Sequence, residues 1–384
     1  MAVQISVVIP ALNEEKSIVV CVEKALAGIR ALGLEGEVVV ADNGSTDRTV
    51  SVARAAGARV EPVTKKGYGS ACMGGLSAAR GEYLILGDAD DSYNFAEIAP
   101  FVEKLKSGSD FVIGNRFSGK IAEGAMPPLH RYLGTPVLAF IMNLLFRTGT
   151  GDPNCGMRAL TKKAFVKMRL RAAGMEFATE MVVKATRVRL KISEVPCNLY
   201  KDKRGRKSHL NTWVDGWRHL RFMLLFSTTW TFIIPGLALA ALGLGGMTAL
   251  TLRDVLKPDL WLPVLTQKHM LSALLLLVLG VQILGLGLAA DAFTFSRHFD
   301  HGKRTMRFLN KSFRLERGLL GGMSLVAAGV LGYAYLLASY MGLLPSPGLL
   351  LRFDTAIFAA ALSVTGVQLI FNSFLLGLFY LKVK

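Results

Sequence analysis

The chain has 384 residues, 52% of them hydrophobic, with a mean hydropathy of +0.40. It is long enough for two or three domains and too apolar for one ordinary soluble domain. Lys and Arg outnumber Asp and Glu by 45 to 28, giving a net charge of +17 and a pI of about 9.8. With no nucleic-acid recognition motif beside it, this excess suits anionic headgroups better than nucleic acid. Cys21, Cys72, Cys155 and Cys197 are widely separated without metal-type spacing, as expected of free thiols in a reducing cytoplasm.

The first residues (Met1-Ala2-Val3-Gln4) show neither the basic nor the apolar region of a signal peptide. Residues 5–9 (ISVVI) read as a buried strand, and Pro10-Ala11-Leu12-Asn13 as a loop. A helix is expected over about 14–32, with Ile18, Val22, Leu26 and Ile29 near helical spacing. Strands follow at 38–41, 59–63, 83–86 and 111–114. A turn at 42–47 leads into a helix through Ala56, and another helix covers 69–79. Strands alternating with helices predict an α/β domain with a mostly parallel sheet, over about 1–210. Ligands of such sheets bind beyond the carboxyl ends of the strands, where Asn13, Asp42 and Asp88 all fall.

The run Gly87-Asp88-Ala89-Asp90-Asp91-Ser92 sits at such an end. Three carboxylates there repel one another and lose hydration. A hard divalent cation shared with a diphosphate accounts for them; a solvated acidic turn is the plainer alternative.

Two later segments look interfacial. Residues 129–146 carry His130 and Arg131 and then an apolar stretch with polar flanks, as in a helix lying in the membrane plane; a fifth span is the alternative. Residues 211–228 combine Trp213, Trp217, Arg218, His219 and Arg221, which favour the headgroup layer. Beyond them, about 230–252, 270–295, 318–343 and 355–381 are each long enough to span a bilayer, which takes roughly 20 apolar residues. They form a transmembrane domain over 229–384. Small residues such as Gly236, Gly243 and Gly246 allow close helix contact. The link between the second and third spans holds Arg297, Lys303, Arg304, Arg307, Lys311, Arg314 and Arg317, which places it, the C-terminus and the N-terminal domain in the cytoplasm. Four spans exceed what anchoring needs, which suits homo-oligomer assembly or guidance of a lipid.

Val8-Ile9-Pro10-Ala11-Leu12-Asn13-Glu14-Glu15, Asp42-Asn43-Gly44-Ser45-Thr46-Asp47 and Asp88-Ala89-Asp90 resemble the family 2 glycosyltransferases of the GT-A fold. Gly114-Asn115-Arg116, Cys155-Gly156-Met157-Arg158 and Glu176-Phe177-Ala178-Thr179-Glu180 are similar to the polyprenyl-phosphate members, such as dolichol-phosphate mannose and glucose synthases. The resemblance covers about residues 4–225. It implies transfer of a hexose from a nucleotide-sugar to a lipid phosphate at the cytoplasmic membrane face.

By position, the resemblance gives Asp42 to the base, and Pro10, Ala11, Asn13 and Glu14 to the floor under base and ribose. Asn13 also reads as a helix cap. The resemblance puts the Lys65-Lys66-Gly67-Tyr68-Gly69 loop, with Lys66 and Gly67, on the nucleotide side, which suits a diphosphate. Asp88, Ala89 and Asp90 would hold the donor, Asp90 with Asp88 ligating Mg²⁺ or Mn²⁺. Asp91 would ligate the metal or orient sugar hydroxyls. Glu176 resembles a residue pointing into the sugar site, while Glu180 does the same or pairs with Lys184. Asp152 is a base or a partner for an arginine or sugar hydroxyl, positioning being favoured. Arg116, Arg131, Arg204 and Arg206 are candidates for the acceptor phosphate, because guanidinium pairs with phosphate oxygens bidentately.

A lipid phosphate is largely anionic at neutral pH, its second pKa being about 6, so no strong base is required. Attack opposite the leaving nucleotide inverts the anomeric centre. The Asp-Ala-Asp-Asp-Ser form resembles the bacterial glucosyl-type relatives, which implies UDP-glucose ahead of GDP-mannose. A processive polysaccharide synthase is one alternative, but no Gln-x-x-Arg-Trp motif is present. A non-catalytic nucleotide-sugar-binding transport subunit is the other, with few ionisable residues beyond Asp291 in the spans to form a polar path.

Overall fold

A computed structural model describes residues 3–203, 212–256, 268–296, 315–345 and 349–380. Arg204, Arg206, the basic link 297–314 and the final lysines lie outside these. The chain divides into two compact units, Met1–Phe226 and Ser227–Lys384.

The first unit is built on a seven-stranded sheet ordered β3-β2-β1-β4-β6-β5-β7. The strands are β1 (Ile5–Ala11), β2 (Gly36–Asp42), β3 (Arg59–Pro62), β4 (Tyr83–Leu86), β5 (Phe111–Asn115), β6 (Arg158–Thr161) and β7 (Ile192–Pro196). All pairings are parallel except those of β6, which runs antiparallel to β4 and β5. This is the expected α/β class with a mostly parallel sheet. Every residue of β1 and β5 is buried, as a sheet covered on both faces requires. Helices α1 (Ile18–Ala31), α2 (Thr49–Ala55), α3 (Tyr68–Ala78), α4 (Ala99–Lys106), α5 (Thr135–Phe146), α6 (Lys162–Met168), α7 (Phe177–Arg187) and α8 (Thr212–Phe226) complete the unit. In α1, Ile18, Cys21, Val22, Ala25 and Ile29 form the buried stripe. The helix expected from residue 14 starts at Ile18 with Ser17 as N-cap residue, so Asn13 does not cap it.

Strands β6 and β7 and helices α4 and α6 were not expected from sequence. The segment 129–146 lies between β5 and its antiparallel neighbour β6. It forms a π-helical turn (His130–Gly134) running into α5. Tyr132, Leu133, Phe140, Trp213, Trp217 and Leu225 are exposed on this segment and α8, an arrangement suited to a headgroup layer. Arg187, at the end of α7, lies over Phe146 of α5 at 5.6 Å and Phe226 of α8 at 5.5 Å, and donates to the Phe226 carbonyl. It ties the two apolar helices together.

The second unit holds α9 (Ile234–Leu256), α10 (Lys268–Ser296), α11 (Leu315–Tyr340) and α12 (Leu349–Tyr380). Its segments Thr229–Leu252, His269–Phe293, Leu315–Tyr340 and Phe353–Phe379 are long and apolar enough to cross a membrane. A Cβ on Gly243 would stand 2.3 Å from the Leu277 backbone of α10, and one on Gly322 would stand 2.8 Å from the Gly366 carbonyl of α12. Glycine there permits backbone contact where lipid supplies no hydrophobic drive. Gln282 and Gln368 add an amide hydrogen bond between α10 and α12, 3.2 Å long.

Candidate active site

Strands β2, β1 and β4 lie side by side and parallel, so the loops after them open on one edge. The structure therefore gathers Asn13, Asp42 and Asp88, far apart in sequence, at one rim. Pro10 and Ala11 end β1 and are buried. Asn13 has φ 58° and stitches two loops: its amide donates to Ser45 Oγ (2.9 Å) and its Oδ1 accepts from the Thr46 amide (2.8 Å). Asp42 accepts from the Gly44 and Ser45 amides at 3.1–3.2 Å, closing the turn after β2. Glu14 is buried, accepting from Ser17 Oγ at 3.1 Å. It supports the loop from the α1 side. Asp47 accepts from the Thr49 and Glu15 amides, the helix-start role its position suggests.

Lys66 donates to the Asn43 carbonyl (2.8 Å) and the Gly67 amide to Asn43 Oδ1 (2.8 Å). Gly67 has φ 123°, and a Cβ there would meet the Ala173 carbonyl at 2.3 Å. Only glycine permits both. Residues 172–174 thus rest on the start of α3, where the Ser70 amide donates to the Ala173 carbonyl at 3.2 Å. Glu176 stands on this same side, at the N-cap of α7, accepting from the Gly174 amide at 3.2 Å. Glu180 instead forms a buried ion pair with Lys184 (2.6 Å) and accepts from the Arg171 and Ala172 amides.

The acidic run splits into two kinds of carboxylate. Asp88 Oδ1 accepts from Tyr68 Oη at 3.0 Å; burial and the nearby Asp88 charge push the Tyr68 phenol up, keeping it a donor. Asp90 Oδ1 accepts from the Ser92 amide (3.0 Å) and hydroxyl (2.5 Å). Ala89 is buried between them. Asp91 is engaged by Lys24 (2.6 Å) and Lys203 (2.7 Å). Among the described residues, no cluster of three His, Cys, Asp or Glu side chains could enclose a metal ion. Asp88 and Asp90 nevertheless fit a Mg²⁺ or Mn²⁺ carried in by a diphosphate. Such an ion takes one or two carboxylates and fills its other positions with phosphate and water.

Arg116, after β5, grips Asp152 through Nε (2.6 Å) and Nη2 (2.8 Å), while its amide donates to Asp152 Oδ2 (3.1 Å). Asp152 is fully buried. Both its oxygens are committed to one arginine. The guanidinium of Arg116 is likewise largely committed, with Nη1 outside the pair. Arg131 is exposed, its guanidinium 5.5 Å from the Tyr132 ring centroid.

Several residues at this rim escaped sequence reasoning. Gly156 lies against Asp88, and a Cβ there would stand 2.2 Å from Asp88 Oδ2. Its amide donates to Tyr93 Oη at 3.0 Å. Gly156→Ala is expected to displace Asp88 and slow turnover by roughly 10²-fold, the usual cost of an ångström-scale misplacement. Turnover measured beside the melting temperature checks this. Arg158, on β6, is buried and donates to the carbonyls of Cys155, Pro153 and Ala178. The Tyr in Lys-Lys-Gly-Tyr-Gly and the Arg in Cys-Gly-Met-Arg were visible signals; nothing local marks Lys24.

His219 of α8 shares a 2.7 Å hydrogen bond with Thr179 of α7. Burial holds its imidazole below the usual 6.5, with Asp215 and Glu176 favouring the proton and Arg158 opposing it. The unfolded chain therefore takes up this proton at higher pH than the folded one. The contribution is complete above about pH 6.5 and is lost as pH falls from there through the folded pKa. Melting temperatures between pH 7.5 and 5 are expected to fall more steeply for the wild type than for His219→Gln.

The model for glycosyl transferase family 2 matches residues 6–169, and that for the family 2 C-terminal transmembrane region matches 288–380. An uncharacterized glycosyltransferase of Mycobacterium tuberculosis is 30% identical over 207 residues, 54% of this chain and 89% of its own length. The chain belongs to glycosyl transferase family 2, and it is a membrane protein. The low-salt glycan biosynthesis hexosyltransferase Agl6 of Haloferax volcanii is 40% identical over 244 residues, 63% of this chain but 58% of that relative. The undecaprenyl-phosphate 4-deoxy-4-formamido-L-arabinose transferase of Pectobacterium carotovorum is 32% identical over 166 residues, 40% of this chain and 48% of its own length. Thus the chain spans only about half to three fifths of these two relatives. A crystal structure of glucosyl-3-phosphoglycerate synthase from Mycobacterium tuberculosis, holding Mn²⁺, UDP-glucose and phosphoglyceric acid, aligns at 26% identity. It covers 58% of this chain and 78% of that one, with a TM-score of 0.46.

Proposed function

We propose that this protein transfers a hexose, with inversion, from a nucleotide-sugar to polyprenyl phosphate at the cytoplasmic face of a membrane, giving a lipid-linked monosaccharide. UDP-glucose is the favoured donor and GDP-mannose the second. The observation that carries the reading is the pair Asp88 and Asp90, beside Asn13 and Asp42 at the carboxyl edge of the sheet, in a chain with four helices able to cross a membrane. A relative named for hexosyl transfer and one named for transfer to undecaprenyl phosphate support the chemistry.

Asp42 and Asn13 would seat the nucleoside, with Pro10, Ala11 and Glu14 beneath it. Lys66 and the glycine loop around Gly67 would face the diphosphate. Mg²⁺ or Mn²⁺, when bound, neutralises charge on the departing nucleotide. Asp88 and Asp90 would hold it, and Glu176 would orient sugar hydroxyls. A phosphate oxygen of the lipid, already anionic, attacks the anomeric carbon without a protein base. Two like-charged phosphates must then approach, which calls for cations. Exposed Arg131 stands where a headgroup would arrive, and Arg116 offers Nη1; Arg204 and Arg206 remain candidates from sequence. Asp152 holds Arg116 in place.

The test uses purified protein in lipid with Mn²⁺, undecaprenyl phosphate and a panel of UDP- and GDP-sugars, with glycolipid read by mass spectrometry. A single-hexose lipid of opposite anomeric configuration to its donor is the expected product. A long polymer, a retained linkage, or no product despite nucleotide binding would overturn the proposal.

A further inference from the structure

Asp91 differs from its neighbours in conformation and in partners. It is 2% exposed and has φ 60°, the left-handed region that a residue with a Cβ seldom adopts. Something must hold that turn. Its Oδ1 meets Lys24 Nζ of α1 at 2.6 Å, and its Oδ2 meets Lys203 Nζ at 2.7 Å. The chain after β7 runs back along the same turn. The Lys203 amide donates to the Asp90 carbonyl (3.0 Å), the Tyr200 amide to the Ser92 carbonyl (2.9 Å), and Tyr200 Oη to Glu97 (3.0 Å). Residues 200–203 therefore dock on residues 90–92, more than a hundred positions earlier.

We propose that Asp91 is a positioning residue, joining Lys24 and Lys203 so that the left-handed turn after Asp90 and the segment 200–203 form one unit. A cation seeking the Asp91 oxygens would have to displace two ammonium groups already at contact distance. Asp88 accepts from Tyr68 Oη, and Asp90 from the Ser92 amide and hydroxyl. The proposal rests on the functional reading only in taking Asp90 as the group being aimed.

The experiment uses the full chain in lipid. Melting temperature is measured with and without Mn²⁺ and UDP, and kcat and KM are measured with the best donor. The variants are Asp91→Asn, Lys203→Met, their double variant, and Asp90→Asn as control. Asp91→Asn is expected to lower the ligand-free melting temperature and keep the Mn²⁺·UDP-induced rise. It should lower kcat at least tenfold with donor KM changed less than threefold. The double variant should be little worse than the worse single variant, because both break the same pair. Lys203 is largely exposed, so Lys203→Met reads the tie even where Asp91→Asn fails to fold: reduced kcat, donor KM and Mn²⁺ requirement unchanged. The proposal is overturned if Asp91→Asn leaves the ligand-free melting temperature unchanged or raised and abolishes the Mn²⁺·UDP rise, as a lost metal ligand would. Fully additive losses in the double variant overturn it too. Should the wild type show no Mn²⁺·UDP rise, the enzymatic reading fails, and the ligand-free melting temperatures still decide the tie.

Discussion

Asp90→Asn is expected to reduce glycolipid formation by on the order of 10³-fold or more while leaving the folded protein intact. Metal-assisted charge neutralisation supplies several kcal/mol, and about 1.4 kcal/mol is a tenfold change in rate. The substitution is nearly isosteric. The Asn carbonyl can still accept from the Ser92 amide, as Asp90 Oδ1 does at 3.0 Å. Removing one of three adjacent negative charges also relieves repulsion, so the melting temperature should hold or rise. Product measured by mass spectrometry under single-turnover conditions, with melting curves alongside, checks both halves. Near wild-type turnover would remove Asp90 from the donor site.

The second large effect is on stability. Asp152→Ala is expected to cost about 3–5 kcal/mol, because it leaves Arg116 with an uncompensated and largely buried charge. Its side chain is 12% exposed and that of Asp152 fully buried. The pair joins the end of β5 to the loop that returns from α5. The same loop is held by Glu194 Oε1 of β7, which accepts from the Gly151 amide at 2.7 Å. Loss of the pair should loosen both ends of the apolar excursion between β5 and β6. Denaturant unfolding of Asp152→Ala, Arg116→Ala and the double variant measures the coupling. A coupling under about 1 kcal/mol would make the pair no more than a surface-type contact. The activity of Asp152→Ala falls with it, since Arg116 is no longer held.

The apolar excursion shows how far local pattern reaches. Its composition fits a short span or an in-plane helix equally well, and its residues say nothing of where the chain goes next. The excursion is bracketed by β5 and β6, whose antiparallel register pairs Val112 with Ala159 and Ile113 with Arg158. Strand β6 was hard to read because it is four residues long and opens with an arginine. That charge is tolerated because three carbonyls surround it, and those carbonyls come from two different segments. Lys24 was invisible for a similar reason. On α1 it looks like any solvated lysine, and only the docking of α1 beside the acidic run gives it Asp91 as a partner.

The sequence by itself determined the α/β class, the first five strands, the four long apolar helices and the gathering of Asn13, Asp42 and Asp88 at one edge, each from a local period or from the rule that parallel strands end together. The family was legible only through the resemblance of its motifs. Tertiary structure alone decided which partners each acidic residue meets. Asp88, Asp90, Asp91 and Asp152 are the same chemical group, and their sequence spacing cannot assign them. Asp91 met two lysines and Asp152 an arginine, from elements 36 to 112 residues away. A carboxylate takes a structural role when a cation from a distant element reaches it. That choice is made by packing between distant elements, which no local pattern records.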